Sequence, residues 1–140
     1  MTENEAITPP TMAQIRAVLA FLPEIENPSE PFYKCDPEIS IFDPYIYSAA
    51  VSRFTQALYA NNFCQSFDWF AWHDQARAYM EDPARLGAAD IATIVKLFTT
   101  ILRADRFCSG SVAGFLNDGF VLALLKRLAT IARPKPKMND

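Results

Sequence analysis

Between residues 90 and 106 the apolar side chains recur at steps of three and four: Ile91, Ile94, Val95, Phe98, Ile101 and Leu102. That spacing is the pitch of an α-helix, and it places these side chains on one stripe. Asp90 stands where an N-cap belongs. Ala92, Lys96, Thr99 and Arg103 fall on other faces, which the pattern assigns to a wetter side.

The same period recurs along the rest of the chain. It predicts a first helix from about Pro9 to Leu22, capped by Thr8, with Ile15, Val18, Leu19 and Leu22 inward. It predicts a second from about Pro44 to Ala60, with Asp43 as cap, closed by Asn61 and Asn62. A third spans about Asp68 to Glu81, with Trp69, Trp72, His73, Ala76 and Met80 sharing a face. The fourth is the 90–106 segment, and a last helix covers about Phe120 to Ala132. Short helical turns are expected at 83–86 and 112–116. No long period-two alternation is present; within the loop "EISIF" could form a short strand, but a single strand needs a partner and no convincing one is found.

These elements predict an all-α fold, a compact single-domain helical bundle over residues 1–140 with about five main helices. A Pro-rich connecting loop over 23–44 joins the first and second helices, and residues 134–140 form a frayed tail. At 140 residues one domain is the natural size, with a core large enough to need no staples.

Charge and cysteine usage narrow the function classes. The formal net charge is −3, so nucleic acid and anionic membrane surfaces are not expected partners. The polar, acidic start predicts no secretory leader, and the apolar runs are too short to span a bilayer. Cys35, Cys64 and Cys108 are odd in number and widely spaced, which fits reduced thiols and a cytoplasmic location. One histidine and no C-x-x-C or H-E-x-x-H spacing predict no metal site. No glycine-rich phosphate loop occurs, so no cofactor is expected, and no catalytic residue is assigned.

Two stretches carry residues suited to chemistry. In "RADRFCSG", 103–110, Arg103 and Arg106 offer planar forks for an anion, with Asp105 to orient them. The same stretch closes a helix, where arginines meet free carbonyls and glycine breaks the run. On that structural reading Asp68 or Asp105 pairs with Arg106. In "FDWFAWHD", Trp69, Trp72 and His73 could line one pocket for a planar or cationic ligand, or serve as core anchors. The candidate ligand-binding set is therefore Trp69, Trp72, His73, Arg103 and Arg106, and the structural ion-pair set is Asp68, Asp105 and Arg106.

The order of blocks "FDW–AW", a D-P turn, "AAD" opening a helix, "KLFTT–LRADRFCSG" and "NDGF–LLKRL" resembles the DUF6508 group, a bacterial family of unknown function. The likeness covers about Tyr47 to Leu128. Its matching positions are Phe67, Asp68, Trp69, Trp72, Asp90, Lys96, Thr99, Arg103, Asp105, Arg106, Phe107, Cys108 and Gly110. The resemblance implies a small, cytosolic, helical bacterial protein and carries no activity with it.

Three function classes follow. The absence of metal set, triad and cofactor loop favours a non-enzymatic binding or protein-interaction module, with a homo-oligomer or a protein partner. The alternative is a small anionic-ligand site or enzyme in which Arg103, Arg106 and His73 converge near the tryptophans. A helix-turn-helix using Lys126, Arg127 and Arg133 is set aside by the acidic balance.

Overall fold

The computed structural model describes residues 7–38, 44–107 and 110–133, with the side chain of Phe107 left aside. It is predominantly helical. Seven α-helices lie among the described residues: α1 Met12–Leu19, α2 Leu22–Glu26, α3 Ala49–Ala60, α4 His73–Glu81, α5 Ile91–Phe107, α6 Ser111–Asn117 and α7 Phe120–Ala132. A 3₁₀ helix covers Pro83–Ala88, and two strands, β1 Tyr33–Cys35 and β2 Tyr45–Tyr47, complete the fold.

The fold is therefore not purely α. β1 and β2 pair antiparallel, with Tyr33 opposite Tyr47 and Cys35 opposite Tyr45. Each strand is only three residues long, too short for a period-two signal to emerge from the sequence. Tyrosines hold the ribbon: Tyr33 meets Tyr45 edge-on at 5.4 Å between ring centroids. The expected strand at "EISIF" lies almost wholly in 39–43, outside the described residues, as does the expected frayed tail at 134–140. The Pro-rich stretch is not one loop. Its start forms α2, with a proline in the first turn, and its middle forms β1.

Helix starts moved to better caps. α1 begins after Thr11, not Thr8, because Thr11 and Gln14 form a reciprocal capping box. α3 begins after Ser48, whose hydroxyl accepts from the Val51 N–H. Residues 45–47, read from sequence as helix, are strand instead. α3 ends as the asparagines predict, with Asn62 left-handed at φ 70°. α4 starts at His73, preceded by a turn over 68–72 in which Asp68 accepts from the Ala71 N–H. α5 is capped by Asp90, which accepts from the Thr93 N–H at 2.8 Å.

α5 is the central element. Ile94, Val95, Leu97, Phe98, Thr99, Thr100, Ile101 and Leu102 are all buried, so this helix is covered nearly all round. It packs against α4, α6 and α7. Phe98 receives two edge-on aromatic contacts, from Phe54 at 6.2 Å and Phe63 at 6.0 Å. Phe54 in turn meets Phe21, the residue before α2, at 5.6 Å, so one aromatic chain joins the start of α2 to α3 and α5.

Thr99, expected on a wetter face, is fully buried. Its hydroxyl accepts from the Gln65 N–H at 3.0 Å and faces the Phe63 carbonyl at 3.5 Å. A buried hydroxyl with both roles filled is cheap to bury, so helical position alone misjudged this residue. Gln65 continues the link outward: its side chain donates to the Thr8 and Asn62 carbonyls and accepts from the Thr8 N–H. The segment before α1 is thereby tied to the loop after α3.

Candidate functional site

The 103–110 stretch is built around Asp105. One carboxylate oxygen, Oδ1, accepts from the Gly110 N–H at 3.0 Å, the Val112 N–H at 3.1 Å and the Tyr47 hydroxyl at 3.0 Å. The Tyr47 oxygen also accepts from the Ala113 N–H at 3.1 Å. Together the two residues accept from the Gly110, Val112 and Ala113 N–H groups at the start of α6, where the glycine cap has no side chain to do so. Gly110 permits the turn because its φ is +109°, and a Cβ there would lie 2.8 Å from the Tyr45 ring. β2 is thus the wall against which the α5–α6 corner is folded.

Arg106 is exposed. Asp105 turns to backbone donors, and Asp68 caps the turn ahead of α4. Cys108 lies outside the described residues. Arg103 and Arg106 are both felt electrostatically at the Cys64 thiol, Arg103 more strongly. Burial outweighs them and the Thr99 hydrogen bond, and pushes the thiol up from its ordinary value. A protonated, half-buried thiol is a poor nucleophile.

The two tryptophans face different surroundings. Trp72 stacks on Tyr79 with 24° between the ring planes and meets Phe67 edge-on. Lys96 sits 5.6 Å from the Trp72 centroid and 5.5 Å from that of Phe67, while Arg85 sits 5.5 Å from the Tyr79 centroid. The cleft beside this row, about 560 Å³, is lined by Trp72, Asp74, Gln75, Tyr79, Arg85 and Thr93. Its aromatic rings already face the protein's own cations, so they offer a ligand little free π surface.

Trp69 and His73 lie in a second depression, between α4, α5 and α6. It measures about 180 Å³ and is lined by Trp69, His73, Ala76, Arg77, Met80, Thr100, Ile101, Ala104, Ser111 and Phe115. Apolar atoms make most of its wall. The Thr100 hydroxyl is engaged by the Lys96 carbonyl, leaving its methyl for the groove. His73 and Arg77, both exposed, form a polar rim, with Nε2 and Nη2 3.4 Å apart. His73 Nδ1 is 3.7 Å from Asp74 Oδ1. Beside the groove, in the 68–72 turn, Phe70 is 76 % exposed and meets Trp69 edge-on at 6.0 Å.

The five candidate ligand-binding residues each have a described neighbourhood. Trp69 and His73 share the groove, Trp72 belongs to the aromatic–cation row, and Arg103 and Arg106 lie toward Cys64. Sequence reasoning missed Arg77, Ala104 and Phe115 in the groove and Tyr47 at the corner. The series Trp69, His73, Arg77 at steps of four was the signal that could have found the rim. Among the described residues, no group of three or more His, Cys, Asp or Glu is placed to hold a metal, and no helix is long and apolar enough to cross a membrane.

The surroundings of the 103–110 corner belong to most of the chain, and so does the family match. The chain is a member of the DUF6508 family, a family of unknown function, whose sequence profile matches residues 10–134. No curated protein and no solved structure matches the chain.

Proposed function

We propose that this DUF6508 protein is a non-enzymatic binding module, and that its working surface is the groove between α4, α5 and α6. The observation that carries this reading is the pairing of an apolar groove of about 180 Å³ with Phe70, 76 % exposed beside it. A single exposed apolar residue is ordinary, but Phe70 stands beside an apolar groove and enlarges it into one patch, and exposed apolar surface rimmed by polar residues marks interaction sites. The groove is of the size that takes one ring, since an apolar cavity of about 150 Å³ accommodates benzene.

The alternative, an anionic-ligand site or enzyme using arginine, histidine and tryptophan together, draws no support from the placement of those residues. Neither arginine lines the groove, and burial raises the Cys64 thiol that both arginines influence.

The test is saturation-transfer NMR with N-acetyl-phenylalaninamide as probe. The wild-type protein transfers saturation to the phenyl protons. Ala104→Trp fills the groove and abolishes the transfer while the far-UV circular dichroism stays unchanged; Ala104→Leu is the milder filling if tryptophan disturbs the fold. Equal transfer in wild type and filled variants overturns the assignment.

A further inference from the structure

We infer that the groove's occupant is a second copy of this chain, with Phe70 of each protomer seated in the groove of the other. The inference rests on the groove being a binding surface, as proposed above.

Knob and socket share a wall. Trp69 lines the groove, and the Phe70 ring stands edge-on to it at 6.0 Å. The 68–72 turn, capped by Asp68, carries both residues and leaves Phe70 exposed beside its own groove, outside the groove's lining. A knob adjacent to its own socket is self-complementary under a two-fold axis, because two protomers can exchange knobs in one closed contact. A knob on the opposite side of the molecule would instead build open chains. The volumes agree: a depression of about 180 Å³ holds one phenyl ring.

Charge favours the same arrangement. The exchange sets the first turns of the two α4 helices side by side. Asp74 is almost fully exposed in that turn, and Arg77 stands on the groove rim three residues on. Antiparallel α4 helices bring Asp74 of each copy toward Arg77 of the other, opposite signs across the axis. Two ring sockets and their rims cover less than the roughly 800 Å² per partner of a standard stable interface, so the dimer is reversible and concentration-dependent.

Sedimentation velocity on the full chain, across the micromolar to millimolar range, reads this directly. The wild type moves from the monomer mass toward twice it as concentration rises. Phe70→Ala removes the knob from an exposed position, keeps its circular dichroism, and stays monomeric. Ala104→Trp removes the socket and also stays monomeric. An equimolar mixture of the two variants regains part of the association, because one retains the socket and the other the knob. A wild type monomeric throughout overturns the inference, as does Phe70→Ala associating like the wild type. If the wild type is monomeric and yet the phenyl probe still binds the groove, self-association alone fails; if the probe fails too, the groove assignment falls with it.

Discussion

The Tyr47 hydroxyl donates to Asp105 at 3.0 Å across 58 residues of sequence, and the same oxygen accepts from the Ala113 N–H. This pair joins the small β-ribbon to the corner between α5 and α6. It gives the aspartate of the 103–110 stretch a structural task, accepting from the Gly110 and Val112 N–H groups at the start of α6.

Removing either member leaves half-buried donors without acceptors. Tyr47→Phe is expected to destabilise the fold by about 1 kcal/mol and Asp105→Ala by about 2–3 kcal/mol, because the carboxylate serves three donors. The double variant loses less than the sum, since both act through one network. Arg106→Ala, at an exposed position, stays within about 0.5 kcal/mol of wild type. Urea unfolding of the four variants measures all of this.

Gly110→Ala tests the corner from the backbone side. A residue with a Cβ at φ +109° is strained, and here the Cβ also meets the Tyr45 ring at 2.8 Å. The expected loss is about 2–3 kcal/mol. In a Tyr45→Ala background the ring contact is gone but the strain is not, so Gly110→Ala lowers the melting temperature by less than it does in wild type, though still measurably.

Asp90 gives a pH dependence of known sign. Hydrogen bonds from Thr93, backbone first, hold its carboxyl below the usual carboxylate value. A carboxyl lowered by folding stabilises above its unfolded value, near about pH 4, and that stability is lost as pH falls through the lower folded value. Asp90→Asn keeps a capping acceptor and removes the titration, so its stability profile is flatter than wild type on the acid side. Asp90→Ala costs about 1 kcal/mol at neutral pH. Chemical denaturation from neutral to acid pH compares the three proteins.

The Cys64 thiol is half-buried and raised, so it alkylates slowly at neutral pH. Iodoacetamide followed by peptide mass spectrometry should label exposed Cys35 well before Cys64. Comparable rates at the two positions contradict the burial described for Cys64.

Much of the helical framework was legible in the sequence, and the reasons it failed in places are physical. α7 matches its expected bounds of Phe120 to Ala132 because its stripe is unbroken and glycine precedes it. α1 and α3 started later because a local cap, Thr11 or Ser48, closed better than the first proline-containing signal. The ribbon escaped notice because three-residue strands carry no periodic signature. At the candidate site the alignment of Trp69, in the turn before α4, with His73 on α4 was readable at a step of four. The diversion of Trp72 to Lys96 and Tyr79 was not, because it depends on contacts with the 83–88 and 90–107 segments.

Backbone chemical-shift mapping with a phenyl probe weighs the groove against the arginines in one experiment. N-acetyl-phenylalaninamide is titrated into the isotopically labelled chain, and shifts are followed at every amide and at both indole N–H groups. The account predicts changes gathered at Trp69, Ala76, Ala104 and Phe115, with Arg103 and Arg106 unmoved. Changes centred on Arg103, Arg106 and Cys64, with the Trp69 indole silent, contradict it.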